Sequence, residues 1–172
     1  MKKLFLIPLA LGLSFCNCKK NSVSKPTMVS IESTCPENGK CSLEIIKNKS
    51  LEIKTDEFGK FYYALNDDVA KSVIHYQYNR TIEEGLQDGQ HREEIVFEIN
   101  NSDEKISYSD FALQNTKMLF GRHCFCRGQA GYFKVNQGTL TLERKKGSSS
   151  IDLDFKIAEV PQLFTKVKAT IK

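Results

Sequence analysis

Apolar residues recur at every second position along most of this chain. In "SIDLDFKIA", Ile151, Leu153, Phe155 and Ile157 point one way while Asp152, Asp154 and Lys156 point the other. "TLTLERK" sets Leu140 and Leu142 against Thr141 and Glu143, and "EEIVFEIN" aligns Ile95, Phe97 and Ile99. "SVIHYQYN" groups Ile74, Tyr76 and Tyr78 opposite His75 and Gln77. A period of two is what a strand with one dry and one wet face requires. Further strands are expected around 29–34, 41–47, 49–54, 59–65, 117–125 and 131–136.

Turn chemistry separates these runs: "PENG" at 36–39, "DEFG" at 56–59, "NQG" at 136–138 and "KKGSS" at 145–149. The last two are expected to join antiparallel hairpins, and "RTIEEGLQDGQHRE" is the longest loop candidate. Only "SDFALQN" reads as briefly helical, with Ser109 a candidate N-cap. The tail "VPQLFTKVKATIK" is ambiguous, although Leu163, Thr165 and Val167 could extend a sheet. Many short strands between regularly spaced turns predict a single all-β domain over 28–172, an antiparallel β-sandwich with a β-barrel as the alternative.

The first residues break the pattern. "MKKLFLIPLALGLSFCNCKK" opens with Lys2 and Lys3, followed by an uncharged apolar run from Leu4 to Phe15. That run is shorter than the roughly 20 apolar residues a spanning helix needs, and it fits a secretory signal. It stops at a cysteine. Leu13-Ser14-Phe15-Cys16 resembles the signal box of bacterial lipoproteins at three of four positions, Phe15 being bulkier than the family pattern.

The resemblance implies a signal peptide over 1–15, lipidation of Cys16 (Cys18 in the alternative frame), and a membrane anchor without a spanning helix. It implies a bacterial cell-envelope location, at the outer membrane. Residues 16–27 are polar and read as a flexible tether. The full sequence of 172 residues carries a formal charge of +4, and removing Lys2 and Lys3 with the signal leaves about +2. No basic cluster argues for nucleic acid.

Beyond Cys16 and Cys18 stand Cys35 and Cys41 in "CPENGKC", and Cys124 and Cys126 in "CFC". In an exported chain an even set of four first suggests two disulfides. Two strand residues separated by one lie roughly 6–7 Å apart, whereas a disulfide brings Cβ atoms to about 3.8 Å. Cys124 and Cys126 can therefore pair only if the backbone bends, and Gly128 and Gly131 offer the means. "RGQAGYF" accordingly reads as a bend between strands, with one of these glycines at positive φ. The local pairing and two crossed ones all remain open. A metal site or an exchangeable thiol pair using Cys124, Cys126 and His123 is the alternative chemistry, although a one-residue spacing is not that of a zinc knuckle.

Nothing else assembles a catalytic set. His75 reads as the wet face of a strand and His91 as a polar loop. The doublets Asp67-Asp68, Glu83-Glu84 and Glu93-Glu94 read as turn and surface charge, and on a strand such neighbours point to opposite faces. No cofactor is expected. The expectation is a non-catalytic binding or structural module for an envelope protein or glycan. Its contact surface would gather Arg122, His123, Arg127, Gln129 and Tyr132.

Overall fold

The computed structural model describes residues 28–82, 85 and 88–172. The leader, Cys16, Cys18, the tether and Glu83-Glu84 lie outside them. The chain folds into two five-stranded antiparallel sheets packed as a sandwich. Strands are β1 (Val29–Ile31), β2 (Gly39–Thr55), β3 (Phe61–Arg80), β4 (His91–Asn100), β5 (Lys105–Ser109), β6 (Leu119–Cys124), β7 (Gly131–Lys134), β8 (Gly138–Lys145), β9 (Ser148–Phe155) and β10 (Lys166–Ile171). Sheet I has the order β1-β10-β9-β8-β5 and sheet II the order β2-β3-β4-β6-β7. No helix among the described residues is long and apolar enough to cross a membrane.

The alternating residues build the core. Ile74, Tyr76, Tyr78, Ile95 and Phe97 of sheet II meet Leu140, Leu142, Ile151, Leu153 and Val167 of sheet I. At one end, the segment after β9 plugs the gap with Ile157, Val160 and Phe164. There the Phe164 ring meets Tyr76 and Phe155 edge-on, with centroids 5.0 and 5.7 Å apart. This end is called the closed pole below.

Two pairs of expected strands are continuous. Residues 41–47 and 49–54 form the single strand β2, and 59–65 continues through 72–79 as β3. Pairing passes from Lys47 with Ser72 to Lys49 with Asp67, so Asn48 alone faces residues 68–71. Asn48 takes a φ of 58°, in the left-handed region that Asn tolerates. A bulge this large bends the hairpin. Its outer half closes on the sheet edge where Phe61 pairs with Tyr132. A second, smaller core results: Leu51 and Leu119 pack with Val73 and Val96, flanked by Ile53 and Tyr63.

"KKGSS" does turn a hairpin, between β8 and β9, but "NQG" does not, because β7 and β8 belong to different sheets. "PENG" likewise crosses between sheets, from β1 to β2. The helical stretch is a 3₁₀ helix over Asp110–Thr116 whose Ser109 makes no side-chain cap bond. The tail's strand is β10, with Val167, Ala169 and Ile171 inward and Leu163 half-exposed. His91, Arg92 and Glu93 belong to β4 rather than to the loop before it.

Candidate functional site

Strand β4 has the sequence "HREEIVFEIN" and is buried on both faces. Glu93 and Glu94 do point to opposite faces, but neither is surface charge: both are buried. The expectation missed this because the outer face of sheet II is roofed by the outer half of the β2–β3 hairpin, which is distant in the chain.

On the inner face, at the closed pole, Glu93 accepts hydrogen bonds from Arg122 at 3.1 Å and from the Leu163 backbone N–H at 2.7 Å. His91 Nε2 lies 3.0 Å from the same carboxylate. Arg122 also donates to the Pro161 carbonyl. This cluster clamps the plugging segment to sheet II.

On the outer face, Glu94 gathers a second cluster. His75 Nε2 lies 2.7 Å from its Oε2 and His123 Nε2 lies 2.9 Å from its Oε1, which also accepts from the Tyr132 hydroxyl. Arg92 stands 3.6 Å away. A carboxylate only accepts, so both imidazoles present a protonated Nε2 to it. Burial pushes the Glu94 carboxyl up, but the bonds from His123, His75 and Tyr132 and the Arg92 charge outweigh burial and hold it far below the usual range. Burial, and next the bond to Glu94, push the Tyr132 phenol well above its ordinary value. Gly121 makes room: a Cβ there would stand 2.7 Å from the Tyr132 ring and 2.8 Å from Glu94 Cγ.

Four residues further along β4, on the same face, Glu98 fixes the roof. It accepts the Leu51 N–H at 2.7 Å and ion-pairs with Lys71 and Lys117, while Lys117 donates to the Leu51 carbonyl at 2.6 Å. Both backbone groups of Leu51 are thereby held, the N–H by Glu98 of β4 and the carbonyl by Lys117.

The "CFC" segment leaves β6 at Cys124 and bends at once. Gly128 and Gly131 take φ of 77° and 133°, and the sulfurs of Cys124 and Cys126 are paired with Cα atoms 5.2 Å apart. Cys35 and Cys41 are paired at a Cα separation of 5.8 Å, and this link ties the crossover between the two sheets. Both pairs are the local ones.

Beside the bend opens a cavity of about 690 Å³ at the closed pole. Arg80, Arg92, His91 and His123 line it with Asp88 and Phe125. Phe125, at the tip of the bend, is the most exposed large apolar side chain among the described residues at 86%. The expected contact surface therefore divides. His123 reaches the cavity, and Arg127 and Gln129 are exposed on the bend. Arg122 is instead buried against Glu93, and Tyr132 lies under the roof against Glu94 and the Tyr63 ring, 5.4 Å away. Sequence reasoning missed Phe125, His75, His91 and Glu94. Its available signal was Val73 and Val96, apolar residues on a face read as wet.

Chemically, Glu94 has its lone pairs engaged by three donors and is a structural anion rather than a base. Its effect is to fix the His123 ring and Arg92 beneath the cavity. Among the described residues no group of three or more His, Cys, Asp or Glu side chains is arranged to hold a metal ion. Comparison with protein-family models, curated proteins and solved structures finds no match to this chain.

Proposed function

We propose that this chain is a lipid-anchored protein of the bacterial envelope, held at the outer membrane through Cys16. Its sandwich serves as a non-catalytic binding module for an envelope protein or glycan. One observation carries the reading. Met28, where the tether would join the domain, pairs with Lys172 at the pole opposite the "CFC" bend. A domain tethered at that pole holds Phe125, Arg127, Gln129 and the cavity away from the bilayer. The exposed ring can stack on a sugar or fill a partner's pocket, and the charged and amide groups around it give direction.

A photoreactive residue at position 125 in intact cells tests this, with the same residue at Lys146, in the opposite turn, as the comparison. A discrete adduct from 125 alone, degraded by either protease or glycosidase, is expected and identifies the partner class. Equal adducts from both positions, or none, refute the contact surface. Fatty-acid labelling that persists in Cys16→Ala moves the anchor to Cys18, and absence of label from the native chain refutes the anchor. The thiol-redox alternative keeps one favourable feature, that Cys124 lines the cavity. It predicts that Cys124 and Cys126 alkylate in the native cell, whereas the binding module leaves them protected.

A further inference from the structure

The two poles of the sandwich are finished differently. At the closed pole the plugging segment fills the gap with Val160 and Phe164. At the other pole no segment among the described residues crosses, and the inward-facing row on each sheet changes from apolar to polar. Ile45 is followed inward by Lys47, Ile74 is preceded by Ser72, and Leu142 is followed by Arg144. The result is a cleft of about 480 Å³ between the sheets. That is within the roughly 300–1,000 Å³ of small-ligand sites.

The composition of the cleft is one-sided. Its floor is Ile45, Ile74, Ile99, Leu142 and Ile171, drawn from both sheets. Its rim carries Lys47, Arg144, Lys145 and Lys172, and none of the lining residues is acidic. Arg144 donates to the backbone carbonyls of Asn100 and Asn101, neutral acceptors that hold its guanidinium in place without cancelling its charge. Lys145 is 3.9 Å from Glu143, a loose pair. Among the described residues, neither Lys47 nor Lys172 has a carboxylate within salt-bridge distance. Four cations converging over an apolar floor create a positive potential, and among the described residues only Lys145 of the four has a side-chain carboxylate within salt-bridge distance.

We infer that this cleft binds an acyl-chain carboxylate, a monomeric fatty acid whose chain lies along the isoleucine floor while its acid group meets the lysine rim. The apolar floor selects against purely hydrophilic anions, and the cationic rim selects against neutral amphiphiles. The inference is independent of the contact surface at the opposite pole.

The test uses the full chain in zwitterionic lipid nanodiscs, irradiated with a photoreactive medium-chain fatty acid or with the corresponding alcohol. Adducts on the peptides carrying Ile45, Ile99 and Leu142 are expected, with the alcohol labelling several-fold less. Lys47→Glu combined with Lys172→Glu, both at exposed positions, should raise the half-saturating concentration about fivefold, the scale of two exposed ion pairs. Ile45→Trp, with an unchanged circular dichroism spectrum, should abolish the labelling by filling the cleft. Equal labelling by the alcohol, adducts mapping to other peptides, or labelling that appears only in Cys16→Ala would overturn the proposal. The last result would make the chain's own acyl group the occupant.

Discussion

Replacing Glu94 by Gln keeps the side-chain volume and removes only the charge and one acceptor. The native carboxylate is buried and takes three donors on two oxygens, His123 and Tyr132 on Oε1 and His75 on Oε2. A glutamine offers one carbonyl oxygen and one amide nitrogen. Its oxygen can serve His123 and Tyr132, while its N–H₂ then faces the His75 ring, which must move its hydrogen to Nδ1 in order to accept. Either His75 changes tautomer or one part-buried donor is stranded, at about 1–3 kcal/mol, and the surviving bonds lose their charge assistance. Arg92 adds little, because its side chain is 42% exposed. The expected loss is about 2–4 kcal/mol at neutral pH. It would be read as a lower urea midpoint with an unchanged slope, followed by far-ultraviolet circular dichroism. The pH dependence gives an independent check. The folded-state pKa of Glu94 is depressed, so its contribution is present above the unfolded value of about 4.3 and is lost as pH falls through the lower folded value. The gap between wild type and Glu94→Gln should therefore narrow as pH falls below about 4. A loss under about 1 kcal/mol, or a gap that does not narrow below about pH 4, refutes the account of the cluster.

Three further outcomes follow from the same geometry. Gly121→Ala places a methyl group 2.7 Å from the Tyr132 ring; it should cost about 1–3 kcal/mol by overpacking, and a melting temperature equal to wild type would contradict the contact. Leu51→Ala empties the small core beneath the folded hairpin and should destabilise by about 2–5 kcal/mol, whereas a cost below about 1 kcal/mol would mean the hairpin does not pack there. Joint replacement of Cys35 and Cys41 by Ser unties the crossover between the sheets and should cost about 2 kcal/mol. Under reductant, which also opens Cys124–Cys126, wild type and the double variant should melt together, and a reductant-insensitive wild type would exclude the Cys35–Cys41 link.

Much of the architecture was legible from the period-two pattern, because one face of each strand lies in the sandwich core. Ile151, Leu153 and Phe155, or Ile95, Phe97 and Ile99, declare that face by themselves. β5 escaped notice since it has only Ile106 fully buried among five residues. The cysteine geometry was half legible. The sequence required a bend if Cys124 and Cys126 were to pair, and the structure supplies it at Phe125 and Gly128. It could not indicate that "PENG" crosses between sheets, because a tight turn looks the same whether its flanking strands pair or part.

The candidate site was the least legible part. Alternation reports which residues share a face, and correctly sets Glu93 opposite Glu94 and His75 opposite Ile74. It cannot report what covers that face. The cover comes from the bulge at Asn48, which folds one hairpin half over the outside of sheet II and turns a wet face into a second interior. A charge pattern that suits solvent suits a buried ion cluster equally well until the roof is in place. Local residue pattern thus determined the strands, their inward faces and the bends. Long-range packing alone decided which outward faces see water, since burial depends on neighbours distant in the chain.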